Sequence, residues 1–281
     1  MPVDARRLIR KMRGGAQAHL IEASDGHCYV VKFLNNPQHR RILVNEWISS
    51  VFLGYLGIAT PAAAIVILTA EFLAANPEIY IQLGNRRQEI TPGWHYGSRF
   101  PGDPARITVY DFLPDTLLEK VENRVDFMAV LAFDKWMGNA DSRQAIFFRA
   151  RLVESVSYEP PDAGPRHGFV AQMIDNGFVL EGPHWRLSDS AVQGLYFRPQ
   201  VYAEVRGLDA FEPCLERIRN FPEEVVDNAV KGIPTSWLEG DEEALEQLLE
   251  RLLRRRARVA DLIKGCRTDR SNPFLAWRGD P

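Results

Sequence analysis

Lys32 lies inside the apolar run CYVVKFL, residues 28–34. A lysine among such neighbours is costly to bury unless a carboxylate meets it. Past the turn residue Pro37 come Asn45 and Glu46, on a stretch with helical spacing. A strand lysine paired with a helix glutamate is an arrangement that holds nucleotide phosphates in kinases. Taken alone, Lys32 could equally face solvent on an edge strand, with Glu46 on an exposed helix face. Upstream, Gly14 and Gly15 form a turn whose backbone N–H groups could approach phosphates closely, or simply a turn. No GK[ST] follows them, so this is not a Walker A loop.

Two carboxylate sites follow. In the segment 134–141, DKWMGNAD, a helix is expected to end at Gly138 and deliver Asn139 and Asp141 into a loop. An aspartate there can orient an attacking hydroxyl or take its proton. An Asx turn capping the helix is the plain alternative. In Met173-Ile174-Asp175-Asn176-Gly177, an aspartate closes an apolar strand. That suits a hard-cation ligand, since magnesium takes carboxylate oxygens together with phosphates and water. A β-turn opened by Asp175 is the alternative. The two aspartates are 34 residues apart, and a hairpin between them would bring them together. The six histidines show no metal-binding spacing and read as surface or packing residues.

Elements must position these groups. Ala18 to Ala23 and Cys28 to Leu34 read as a hairpin joined at Ser24-Asp25-Gly26. A helix is expected from about Gln38 to Leu56, started by Pro37 and ended by Gly57. Ala63 to Leu68 reads as a buried strand, and 71–103 as strand fragments and loops. A helix from about Asn123 to Met137 carries Phe127, Leu131 and Asp134 near one face. Ile146 to Val153 and Gly168 to Ile174 read as strands around an exposed Pro-rich loop, SVSYEPPDAGPRH. From Asp209 the chain reads as mainly helical, the longest helix running from about Glu242 to Ile263. Arg254, Arg255, Arg256 and Arg258 read as a solvated face of that helix.

Composition bounds the rest. With 281 residues, 46% hydrophobic and 25% charged, the chain can build a large soluble core. A net charge of −3 sets up no global field for nucleic acid, which argues against it as a partner. Cys28, Cys214 and Cys266 are sparse and form no CxxC pair, which fits a reducing compartment. The segment MPVDARRLIRKMRGG is too polar for a signal peptide, and the apolar stretch 61–75 is too short to span a bilayer. A cytoplasmic location without membrane insertion is therefore expected.

The ordered set of Gly14-Gly15, Lys32, Asn45-Glu46, Asn139-x-Asp141 and Ile174-Asp175-Asn176-Gly177 resembles the HipA-like kinases, in particular their short stand-alone branch. The stretches VVKFLNNPQHRRILVNEW, YGSRF and FDKWMGNADSRQAIF add to the likeness, which spans roughly residues 8–200. It implies an α+β, bilobal, protein-kinase-like fold: a small β-rich lobe over 1–104 and a larger, mainly helical lobe over 105–281. It implies ATP and Mg²⁺ as cofactors, Lys32 on the phosphates, Glu46 holding Lys32, Asp141 as catalytic base with Asn139 beside it, and Asp175 on the metal. The best-known members phosphorylate protein serine or threonine, and the wider superfamily includes lipid kinases.

Three departures qualify the resemblance. Kinase loops carry a metal-binding asparagine five residues after the catalytic aspartate, and here that position is Ile146. Gln144 or Asn139 would have to stand in. Ala16 and Ala18 stand where some members carry a regulatory hydroxyl. The extra N-terminal subdomain of the toxin members has no counterpart, so toxin behaviour is not expected. Three functions follow in order of preference: a serine/threonine protein kinase, a kinase-fold enzyme acting on a small molecule or lipid head group, and a nucleotide-binding pseudokinase that works as an interaction module. ATP and a protein or small-molecule acceptor are the expected partners.

Overall fold

The structure is a computed structural model, and it describes residues 1–151, 167–270 and 272–278. Its first part is built from strands: β1 (Val3–Lys11), β2 (His19–Ala23), β3 (Cys28–Lys32), then helix α1 (Arg41–Leu56), β4 (Ala63–Leu68), helix α2 (Ala70–Ala75), the hairpin β5 (Tyr80–Leu83) and β6 (Arg86–Glu89), and β7 (Gly93–Arg99). Five strands close into a barrel in the order β1-β2-β3-β7-β4. Neighbours pair antiparallel except at the closure, where Val3 lies beside Val66 in parallel. Strand alternation divides the barrel's residues between two faces. Tyr29, Val31 and Phe33 join Ile21, Val66 and Leu68 in the core of this part. Val30 and Lys32 therefore project to the opposite face.

The second part follows with α3 (Asp115–Leu118), α4 (Asp126–Met137), the hairpin β8 (Gln144–Arg151) and β9 (His167–Ile174), then α5 (Cys214–Arg219), α6 (Glu223–Lys231), α7 (Thr235–Leu238), α8 (Glu242–Arg255) and α9 (Val259–Thr268). A single large core runs from α1 through α4 to the last helices. Helix α1 belongs to both parts. Ile42, Leu43, Phe52 and Leu53 are all buried, and so are Asn45, Glu46 and Ser49. A helix buried nearly all round shows little amphipathic contrast, as expected of one wedged between two layers. Gly57 and Gly138 end α1 and α4 in the left-handed conformation that glycine adopts without strain.

Several expectations need correction. Helix α1 starts at Arg41 rather than Gln38, because Asn36 to Arg40 form turns first. The region 71–103 is more ordered than its pattern implied: it holds α2, the β5–β6 hairpin and β7, the strand between β3 and β4 in the barrel. The helix expected over 242–263 is interrupted by a 3₁₀ turn at Arg256–Arg258. The basic run there is not simply a solvated face. Arg255 is buried and donates to the Lys135 carbonyl at 3.1 Å and to Asp189 at 2.6 Å. Arg256 donates to the Phe221 carbonyl at 2.5 Å. The Pro-rich loop expected at 155–167 lies, but for His167, outside the described residues. Cys28, Cys214 and Cys266 are buried and free. Among the described residues no helix is long and apolar enough to cross a membrane.

Candidate active site

A cavity of 350 Å³ opens between the barrel and the helical part. Its wall brings together Gly14, Gly15, Lys32, Glu46, Asp141 and Gln144, with Asp175 beside them. Of the residues given a catalytic, phosphate-binding or metal-binding role from the sequence, Asn139 alone stays off this wall.

Lys32 is buried at the end of β3, and its Nζ donates to Oε1 of Glu46 on α1. The same ammonium donates to Oδ1 of Asp175 at 2.7 Å. Burial alone would push the Lys32 ammonium down, but the Glu46 and Asp175 carboxylates raise it above its ordinary value. Reciprocally, the Lys32 charge holds the Asp175 carboxyl below its usual range, against the opposing effect of burial. Lys32 thus stays charged in the cleft, and its burial between Glu46 and Asp175 excludes a solvent-facing lysine.

The turn at Gly14 and Gly15 joins β1 to β2 and is closed by Gln17 donating to the Gly14 carbonyl at 3.1 Å. Gly14 has φ +115°, a conformation glycine adopts readily. Gln38, just ahead of α1, reaches back to this turn: a Cβ on Gly15 would lie 3.0 Å from its Nε2.

Asp141 follows α4 in a loop held by its own groups. Its N–H donates to the Asn139 carboxamide oxygen at 3.1 Å, and its Oδ1 accepts from the Ser142 N–H at 2.8 Å. The Asp141 side chain itself is exposed toward the cavity. Asn139 is buried, with its Nδ2 donating to Asp134 at 3.0 Å. It braces the loop and presents no free oxygen to the cavity. Gln144 opens β8 and its side chain hydrogen-bonds the Asp175 carboxylate. Ile146, one strand period further on, lines the cavity too.

Asp175 holds φ +58°, a left-handed conformation that aspartate tolerates better than most residues. Gly177 is needed for room rather than for turning. A Cβ there would lie 2.6 Å from Ile42 Cγ2, so the glycine lets α1 approach and bring Glu46 to Lys32.

Sequence reasoning missed part of this site. Val30, Phe100, Val109, Ile146 and Ile174 form apolar wall around the cavity, with Ala18. Val30 was findable, since it shares the face of Lys32 on an alternating strand. Asn45 carries no sign in the sequence beyond standing next to Glu46. Its Nδ2 donates to the carbonyls of Gly177, Val179 and Gly182 at 2.8–3.0 Å, and its Oδ1 accepts from Trp185 at 2.9 Å. It ties the chain after Asp175 to α1.

Beneath the cavity lies a buried ion pair that the sequence signalled only faintly. Asp134, on the apolar face of α4, is fully buried with Arg143. Burial pushes the Asp134 carboxyl up, and Arg143 opposes that rise. A carboxylate on an apolar helix face needed a cation, and Arg143 is nine residues on.

The segment after Asp175 is also fixed. Lys135 Nζ donates to the carbonyls of Ser190, Ala191 and Gln193 at 2.7–2.9 Å. Arg255 and Arg258 both hold Asp189 at 2.6 Å, and the Cys266 thiol donates to the Ala191 carbonyl at 3.3 Å. Gly194 closes the circuit, its N–H donating to the Asp141 carbonyl at 3.1 Å.

Comparison with known proteins agrees with this architecture. The family described as HipA-like kinase matches residues 6–146, half of the chain. No curated protein matches. Among solved structures, the Golgi casein kinase with Mn/ADP bound superposes with a TM-score of 0.51 at 11% identity, covering 96% of this chain and 74% of that one. Hydra Fam20 with sugar gives 0.50 at 13% identity, covering 96% and 87%. At such identities the likeness concerns the fold alone.

Proposed function

This chain belongs to the HipA-like kinase family, and from that premise we propose that it is an ATP- and Mg²⁺-dependent serine/threonine protein kinase. A kinase-fold phosphotransferase is the coarser statement, and the family match and the fold both support it. One observation supports the ATP- and metal-dependent part of this reading: Lys32, Glu46, Asp175 and Asp141 face a single cavity, with a glycine turn on the wall.

In this reading residues 1–104 and 105–281 act as two lobes around the nucleotide. Val30, Ala18, Phe100 and Ile174 would offer the base an apolar wall. Lys32, kept charged by Glu46, would bind phosphate oxygens, with the N–H groups around Gly14 and Gly15 available to them. Asp175 and the Gln144 carboxamide oxygen offer hard donors suited to Mg²⁺. Among the described residues no cluster of three metal-ligating side chains exists. One carboxylate, completed by phosphates and water, is nonetheless the way Mg²⁺ is held in nucleotide sites. When bound, the ion neutralises charge on the phosphates. Asp141 orients the acceptor hydroxyl and takes its proton as transfer proceeds.

The two aspartates should separate experimentally. Asp175→Ala should weaken Mg²⁺-dependent ATP binding and abolish transfer. Asp141→Ala should leave ATP affinity near wild type while cutting transfer by ~10²-fold, the scale of a general base. Calorimetry with and without Mg²⁺, beside transfer of labelled phosphate into a cell extract, reads both. Label in protein bands supports this reading, and label in small molecules transfers it to a metabolite or lipid kinase. ATP binding without transfer would mean a pseudokinase. Wild-type behaviour in both variants would reject the kinase reading.

A further inference from the structure

Arg143 is fully buried, with its guanidinium held between α4 and the end of β9. Nε donates to Asp134 Oδ2 at 2.8 Å, and Nη2 donates to Asp134 Oδ1. Nη1 donates to the Ile174 carbonyl at 3.0 Å and to Asn176 Oδ1 at 2.8 Å. The Arg143 backbone N–H donates to the Leu195 carbonyl at 3.1 Å. Ile174 and Asn176 flank Asp175, and Arg143 itself is two residues beyond Asp141. One side chain therefore bonds to both sides of one carboxylate while standing on the loop that carries the other.

A buried ion pair is weak evidence for stability, because desolvating both charges offsets most of their attraction. Geometry is the stronger ground. The planar guanidinium serves Asp134 with one edge and the end of β9 with the other. Lysine keeps the charge but has no such fork. Asn176 is 2% exposed and spends its carboxamide oxygen on this contact.

We propose that Arg143 is a positioning residue that fixes the separation of the Asp141 and Asp175 carboxylates by clamping the loop of one to the strand end of the other. This rests on the phosphotransfer reading, in which the two carboxylates serve the acceptor and the metal. Residues behind a metal ligand orient it, and losing one costs about 10–100-fold in metal affinity. Misplacing reacting groups by about 1 Å can cost about 10²-fold in rate.

A double-mutant cycle tests the clamp, with ADP binding measured by calorimetry across a Mg²⁺ titration. The variants are Arg143→Lys, Asn176→Ala and Asp175→Asn, alone and combined. Asn176→Ala leaves the Asp134–Arg143 pair intact, so it remains informative where Arg143→Lys fails to fold. Metal-free ADP affinity should stay unchanged in Asn176→Ala, while the gain from Mg²⁺ falls by about 10-fold. The same change made in the Asp175→Asn background should cost nothing further. The proposal is overturned if Asn176→Ala keeps the full Mg²⁺ gain, or if its loss persists in the Asp175→Asn background. If Mg²⁺ does not strengthen wild-type binding and Asp175→Asn is silent, the phosphotransfer reading fails and the clamp with it.

Discussion

Lys32 is satisfied by two carboxylates that have different obligations. Glu46 is buried on a helix and bonds to Lys32, whereas Asp175 is partly exposed on the cavity wall. In the proposed reaction, Mg²⁺ must compete with Lys32 for Asp175. Removing the Glu46 charge would leave the ammonium to Asp175 alone. Glu46→Gln should therefore raise the Mg²⁺ concentration needed for half-maximal nucleotide binding, which a titration at fixed ADP measures; an unchanged midpoint would show that the two carboxylates do not share the lysine. A second residue-level effect concerns acid stability. Burial lowers the His95 imidazole to about 4 from an ordinary 6.5. Its Nδ1 accepts from the Leu34 N–H at 2.9 Å, and its ring packs on Phe33. Below pH 6.5 the unfolded chain takes up a proton that the folded chain refuses, so stability is full above 6.5 and is lost as pH falls toward 4. The loss is roughly 3 kcal/mol from this group. Urea unfolding at stepped pH should show it, and His95→Gln should flatten the slope across that window.

At the scale of elements, the approach of α1 to the end of β9 depends on a missing side chain. Gly177→Ala would place a methyl 2.6 Å from Ile42 Cγ2, a branched group on a packed helix. The helix must shift, and Glu46 shifts with it. The expected result is a fall in melting temperature worth about 1–3 kcal/mol, the range for overpacking, together with weaker nucleotide binding. Unchanged binding in a destabilised protein would mean that α1 absorbs the strain without moving Glu46. Elements also differ in how plainly the chain announces them. β3 was legible because its apolar run ends at turn residues, β4 because its run 63–68 is unbroken by polar residues, and α1 because Gly57 marks its end. The region 71–103 was not: β7 reads GWHYGSR, with two glycines and no alternation of polar and apolar residues. Gly97 is required there because a Cβ would meet Val66 Cγ2 of the neighbouring strand β4 at 2.6 Å, a contact invisible along the sequence. The break between α8 and α9 was hidden for a related reason. Leu252, Val259 and Ile263 keep helical spacing across it, while distant partners draw Arg255 and Arg256 inward.

At the scale of the whole molecule, the candidate site divides into a legible layer and a hidden one. Lys32, Asp141 and Asp175 each carried a local sign, a charge in an apolar run or a carboxylate at the end of an element, and Glu46 followed from the lysine's need of a partner. The layer beneath them has no such signs. Asn45, Arg143 and Asn176 are ordinary polar residues until the fold brings them together across 31 to 137 positions of chain. Lys135, Arg255, Arg258 and Cys266 likewise come from α4, the last helices and the turn between them to hold one stretch, 189–193. That convergence has a consequence for timing. Many kinases keep the chain after the metal aspartate loose until a phosphate group orders it. Here helices fasten that chain as they pack, so catalytic geometry would arrive with folding itself rather than through a later covalent mark. Backbone amides over 189–196 should then exchange with deuterium only as slowly as the core of α4, in protein that has never met another kinase. Rapid exchange there, slowed by phosphorylation, would instead reveal a gate.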